Sequence, residues 1–341
     1  MAFWSDNCAP VAPEILAALA DANRGPAPAY GADAWTDQLP AAFGQVFGTE
    51  VAVFPIATGT AANCLGIAHL SPPWGAVLAH ETAHLLEDES TAPELIGGGA
   101  RLVGLPGALG KVDPDGLARW LEAAPWGFVH APQPALLALT QATELGTVYS
   151  VEEVQAVCAI ARRFGLATMM DGARFANAVA HLGCDPAEIT VAAGLDMLVF
   201  GATKNAALTA EAAIFFDPAR AEAFGYRRKR AAHLLSKMRY VSAQLLASLD
   251  QDRWLSWAQH ANAMARSLAA RLAQVPGVTL CHEPQANAMF ARLPEALVER
   301  LSDAAVGFYP WPSLGPDAYR FVTAWNTEPA DIDQAISALR P

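Results

Sequence analysis

Residues 197–205 read MLVFGATKN: four apolar residues, a Gly-Ala-Thr turn, and then Lys204. Apolar character resumes at once in AALTAEAAIFF, and the chain has only four lysines, Lys111, Lys204, Lys229 and Lys237. A lysine stem commonly snorkels, covering apolar surface while its ammonium stays in water, but little around Lys204 leads to water. The apolar run reads as a buried strand, so Lys204 lies just past a strand's C-terminal end. In an open parallel sheet that edge is where ligands bind. An amine held there among apolar and hydroxyl groups has a depressed pKa and attacks carbonyls, the requirement for a Schiff base.

Two stretches upstream complete this picture. Met170-Asp171-Gly172-Ala173-Arg174 closes another apolar run, and Asp171 precedes Lys204 by 33 residues (204 − 171). A carboxylate at such an edge is costly to bury unless it meets a cation; it either pairs with Arg174 to close the turn or faces a cationic ligand. Ala57-Thr58-Gly59-Thr60-Ala61 follows a strand and opens a helix. It is either a plain capped start or an anion cradle of free backbone N–H groups. There is no GxGxxG and no GxxxxGK[ST] to support a dinucleotide or P-loop reading. A phosphate at the helix start, a pyridinium N–H on Asp171 and an imine on Lys204 make one chemical sense together. They describe a site for pyridoxal 5′-phosphate (PLP).

Around these stretches strands alternate with helices. VAVFPIA (51–57), GAVLAH (75–80), RLVGL (101–105), WGFVH (126–130), ALLALTQ (135–141), LATMM (166–170) and MLVF (197–200) read as strands. Residues 150–165 read as an amphipathic helix opened by a Ser150/Glu153 capping box and ended at Gly165. FANAVAHLG and AEITVAAG also read as helical. This predicts a mostly parallel sheet covered on both faces, an α/β large domain over residues 1–245 with an N-terminal arm. Long helices to Pro276, with Trp254, Trp257, Ala261, Met264 and Leu268 at helical spacing, lead into a compact α+β tail. That tail is the small C-terminal domain, residues 246–341.

The net charge of −12 disfavours nucleic acid and acidic membranes. Hydrophobic residues make up 53% of the chain, but no run approaches the ~18 apolar residues of a membrane span. Some of that surplus covers a subunit interface in this reading. The five cysteines include no CxxC pair, so neither a disulfide framework nor a structural zinc is expected. MAFWSDNCAP shows no basic or apolar signal region, and the expectation is a cytoplasmic protein. No metal site is expected.

The order SDN, AYGAD, TGTAAN, TQATELGTVY, MDGARFANA, GATKN and YRFVT resembles the L-threonine aldolases of the low-specificity type, PLP enzymes of fold type I, along essentially the whole chain. The resemblance implies an aspartate-aminotransferase-like fold and a carbon–carbon lyase acting on amino-acid and aldehyde substrates. It implies that Lys204 carries the cofactor imine, Asp171 pairs with the pyridine nitrogen, and Gly59 and Thr60 hold the phosphate. His84 would stack on the ring; Ser5, Arg174 and Arg320 would hold the substrate carboxylate. Arg174 and Arg239 would also reach the cofactor, and Tyr30 the substrate. Tyr30 and Arg239 match positions that reach a neighbouring subunit's site, implying a dimer or tetramer. Another branch of the family carries a histidine where this chain has Glu144. The general base is therefore open between His84, Glu144 and a water between them, and so is the threo/erythro preference. Rival readings are another PLP reaction on this fold, racemisation or β-elimination, or a PLP-fold protein that only binds.

Overall fold

The computed structural model describes residues 3–340. Seven strands form the large sheet: β1 (Ala52–Ile56), β2 (Gly75–His80), β3 (Arg101–Leu105), β4 (Gln133–Thr140), β5 (Ala167–Gly172), β6 (Met197–Gly201) and β7 (Glu211–Phe215). Their order across the sheet is β1-β7-β6-β5-β4-β2-β3. Only β7 runs against the rest, pairing antiparallel with β1 and β6. The predicted α/β, mostly parallel architecture is what the chain adopts.

Side chains alternate across this sheet with the period of two that a strand imposes. Met197 and Val199 face a core with Leu65, Ile67, Met169 and Phe215. Leu198 and Phe200 face the opposite core, with Phe43, Phe47, Met170, Phe175 and Trp254. Both faces are covered, which is why these strands read as unbroken apolar runs. The helix Gly59–Leu70 lies directly on the sheet at Gly66, where a Cβ would come within 2.5 Å of Met169 Sδ.

A second sheet, order β10-β11-β9-β8, is built from β8 (Thr279–Leu280), β9 (Ala288–Arg292), β10 (Tyr309–Pro310) and β11 (Ala318–Val322). The helix Arg253–Leu272 spans both cores: Trp254 and Ala258 pack under the large sheet, Leu268 and Leu272 under the small one. Phe3 packs in that second core too, and its backbone bonds Gly307 and Val322. The N-terminal arm therefore runs along the small sheet before crossing to the large one.

Two predicted elements are absent. WGFVH is a turn, not a strand: Gly127 has φ +72°, Val129 is 90% exposed, and the Gln133 side chain ties the loop through Gly127 N and the carbonyls of Pro125, Phe128 and Ala131. AEITVAAG is a series of turns rather than a helix. The amides of Ala192 and Leu195 reach back five residues to Ala187 and Thr190, while the Thr190 hydroxyl bonds Pro186 O. Thr190 and Val191 are β-branched and helix-poor, and the side-chain bond offers the backbone an alternative turn.

Candidate active site

The C-terminal ends of the parallel strands converge on one cleft of about 320 Å³. Gly59 and Thr60 enter it after β1, His84 after β2, Glu144 after β4, Asp171 from β5, Arg174 just beyond, and Lys204 after β6. Glu211 joins them because β7, running the other way, begins at this edge, level with Ile56 and Gly201. Gly201 is needed for the approach of two of these loops, since a Cβ there would lie 2.7 Å from Ala173 Cα.

Thr58 caps the helix Gly59–Leu70 by accepting from Ala61 N. The amides of Gly59 and Thr60 donate to no acceptor among the described residues, and a Cβ on Gly59 would meet nothing within 4 Å. Helix N-termini carry partial positive charge, so this start is open to an anion.

Asp171 does not pair with Arg174. It accepts from Ala173 N at 2.9 Å and from Asn63 Nδ2 at 2.8 Å. The same Asn63 amide donates to Glu89 Oε1 at 3.0 Å, and Glu89 Oε1 lies 2.9 Å from His84 Nδ1. Arg174 instead grips Asp6 in a fork, Nε to Oδ2 at 2.7 Å and Nη2 to Oδ1 at 2.9 Å. Asn287 steadies Asp6 at 2.9 Å.

Lys204 makes no hydrogen bond or ion pair among the described residues, and its surroundings are more acidic than the sequence suggested. Asp6, His84 and Glu211 all feel its charge. Burial pushes Glu211 up to about 7 against the pull of the Thr203 hydroxyl and Lys204. Burial likewise pushes Glu144 up to about 7, and its Oε1 accepts from His84 N at 2.7 Å. A carboxyl raised this way gives stability that is full at low pH and is lost as pH rises through its folded value. Glu144→Gln is therefore expected to melt several degrees above wild type at pH 8 and to show no advantage at pH 4, as thermal melts at both pH values would show.

Four other residues singled out in the sequence stand outside the cleft lining. Ser5 caps the turn Asp6–Cys8, its Oγ accepting from Asn7 N and donating to Asp6. Arg320, on β11, lies with its guanidinium carbon 4.5 Å over the Trp311 ring, and its Nε has no partner among the described residues. Burial, then the charge of Arg174, lowers its pKa. Tyr30 is 53% exposed, with Lys229 Nζ 4.8 Å over its ring, and Arg239 donates to Gly25 O at 3.0 Å. Sequence reasoning missed Asp6, Asn63, Glu89, Glu211 and Asn287. It also overlooked that His80-Glu81-Thr82-Ala83-His84 spells the H-E-x-x-H of zinc peptidases. That motif needs both histidines on one helix face, whereas His80 ends β2. Both His80 ring nitrogens are taken, by Thr82 Oγ1 and Gly107 O.

The amine, the carboxylate and the open helix start share one cleft, and the unpartnered Gly59 and Thr60 amides supply the donors a phosphate needs. This donor set fits PLP, and with the sheet order it defines a PLP-dependent enzyme of fold type I. Residues 2–296 match the beta-eliminating lyase family. The chain is 43% identical to the low specificity L-threonine aldolase of Pseudomonas aeruginosa, covering 96% of this chain and 93% of that protein. It is 40% identical to that of Pseudomonas sp. (strain NCIMB 10558), covering 99% and 96%. The threonine aldolase structure of Leishmania major superposes with a TM-score of 0.92 at 25% identity, over 99% of this chain and 98% of that one. This chain belongs to the low specificity L-threonine aldolases, within the beta-eliminating lyase family.

Proposed function

We propose that the protein is a PLP-dependent carbon–carbon lyase. It reversibly cleaves L-threonine, L-allo-threonine and related β-hydroxy-α-amino acids such as phenylserine to glycine and an aldehyde. The observation that carries this reading is the Arg174–Asp6 fork, whose arginine lines the same cleft as Lys204 and Asp171. Nε and Nη2 of Arg174 are spent on Asp6, while Nη1 has no acceptor among the described residues. Arg320 feels Arg174 as a second cation, with Asp6 and Asp88 as the nearby negative charges. A substrate carboxylate would be held by that free guanidinium nitrogen, with its α-amine directed toward Lys204.

When bound, PLP supplies the electron sink that stabilises negative charge at Cα. Lys204 would hold it covalently, Asp171 would hold the pyridine nitrogen protonated, and Gly59 and Thr60 would take its phosphate. The chain's remaining work is to orient the substrate and to move the β-hydroxyl proton. His84 and Glu144 line the cleft, and either of them, or a water between them, would serve that step. Tyr30 and Arg239 would serve a neighbouring copy's cleft in a cytoplasmic homodimer or homotetramer.

A visible absorbance band in the purified protein is expected to shift with glycine, and L-threonine is expected to release aldehyde in a coupled assay. A band without aldehyde would move the reaction to racemisation or β-elimination, and no band after PLP addition would overturn the cofactor roles given to Lys204 and Asp171.

A further inference from the structure

His84 opens a short helix, His84–Glu87, so its ring is not fixed by a long element. What fixes it is Glu89, whose side chain is fully buried and whose Oε1 lies 2.9 Å from His84 Nδ1. A carboxylate accepts only, so the proton of that hydrogen bond belongs to Nδ1. The other ring nitrogen, Nε2, has no protein partner among the described residues, on a side chain that lines the cleft. Asn63 then pins that same Glu89 oxygen, using both amide hydrogens, one on Glu89 Oε1 and one on Asp171. Cys64 Sγ, at 4.0 Å from Glu89 Oε2, completes the enclosure. Nothing in a structural role requires two buried carboxylates to be bridged by one amide beneath a histidine.

We infer that Glu89 is a positioning residue that makes His84 Nε2 the acceptor of the substrate's β-hydroxyl proton, with Asn63 locking Glu89 in place. The inference rests on the aldolase reading and selects His84 over Glu144 within it. The hydroxyl proton passes to Nε2, and the O–H electron pair becomes the second bond of the aldehyde carbonyl. The Cα–Cβ bond breaks, and its pair stays with the glycyl carbon. The Glu89 carboxylate, hydrogen-bonded to Nδ1, stabilises the imidazolium, as a buried carboxylate does for a catalytic histidine elsewhere. Three charged groups act on His84 from the surrounding elements, Glu89, Asp171 from β5 and Lys204 after β6, while Glu144 accepts its backbone N–H. The hydrogen bond to Glu89 raises its pKa first; burial opposes it, Asp171 adds to it and Lys204 opposes it. The outcome is a histidine that titrates above its ordinary 6.5.

The test compares full-length wild type with Glu89→Gln, which keeps the side-chain shape and an acceptor oxygen but removes the charge, and with Glu89→Asp, which keeps the charge. Selective 13C labelling of histidine follows the His84 titration by NMR with and without PLP. Threonine cleavage gives the pH profile of kcat/KM. In Glu89→Gln the His84 titration and the acid limb of the profile are both expected to move to lower pH, while the plateau falls about a hundredfold. Glycine affinity, read from the absorbance shift, should hold within threefold, an order-of-magnitude allowance for an interaction confined to the β-hydroxyl step. Glu89→Asp should keep the limb near its wild-type position. A Glu89→Gln limb that superimposes on wild type, or a His84 titration that does not move, overturns the assignment. If Glu89→Gln does not fold, a limb displaced in Glu89→Asp by as much as in Asn63→Ser overturns it instead. Wild type that releases no aldehyde fails the aldolase reading itself, and the acceptor role with it. The NMR titration distinguishes that failure from a wrong assignment of Glu89.

Discussion

Lys204→Ala is expected to leave the protein folded and to lower threonine cleavage by about 10⁴-fold or more, the scale on which removing the nucleophile of a cooperating set acts. The fold should survive because Lys204 contributes no hydrogen bond or ion pair among the described residues, so its loss orphans no partner. The electrostatic consequence is confined to the cleft. Asp6 and Glu211 each lose a cation that holds their carboxyls down, so Glu211, already at about 7, should move higher still. The visible band should vanish or shift to that of loosely held PLP, since in their proposed roles Asp171, Gly59 and Thr60 would still hold the cofactor without the covalent link. An aldehyde-coupled assay, an absorbance spectrum and a thermal melt on the same sample check all three. Turnover within tenfold of wild type would refute the role of Lys204, and so would loss of the folded melt.

The residues legible in the sequence share one property: each is the first chemistry-bearing group after an apolar run. Asp171, Lys204 and Gly59 all stand at the C-terminal edge because a parallel sheet puts every strand end there, and the strand runs themselves are visible. The capping box at Ser150 and Glu153 was equally local, and both of its reciprocal bonds are present. The supporting residues are set by contacts far apart in the chain. Arg174 meets Asp6 across 168 residues, and Asn63 meets Asp171 across 108. Nothing in DNC or TAAN marks Asp6 or Asn63 as buried and paired. Glu211 was hidden for another reason. The AALTAEAAIFF run was read as continued apolar character, whereas Thr209 and Glu211 line the cleft at the start of an antiparallel strand. WGFVH failed because aromatic and β-branched content outweighed Gly127, whose positive φ decides the local backbone.

Arg174→Ala is expected to destabilise the protein by about 3–5 kcal/mol at pH 7, beyond its loss of substrate affinity, because it strands a buried carboxylate. Asp6 sits on the N-terminal arm, Asn287 just before β9 and Arg174 just after β5, so one carboxylate joins the arm to both sheets. Burial alone would raise the Asp6 carboxyl. The charges of Arg174 and Lys204, then the hydrogen bonds from Arg174 and Asn287, overturn that and hold it below its ordinary 3.8. A depressed folded value means that this stabilisation is present above the unfolded pKa and is lost as pH falls through the folded one. Without Arg174 burial gains the upper hand, the folded value moves up, and the sign reverses: the variant recovers stability as the carboxyl takes a proton. The gap to wild type should therefore be widest near neutrality and should narrow toward about pH 4, where an unperturbed aspartate is half protonated. Adding Asp6→Asn to Arg174→Ala should recover much of the lost stability at pH 7, since the neutral amide leaves no buried charge, yet substrate KM should stay high because the guanidinium is still missing. Arg174→Lys should keep the charge but lose the fork. Denaturant melts of the four proteins at pH 7 and pH 4 decide it: equal destabilisation at both pH values would mean that Arg174 serves by packing, and that the Asp6 charge is not what the arm is anchored by.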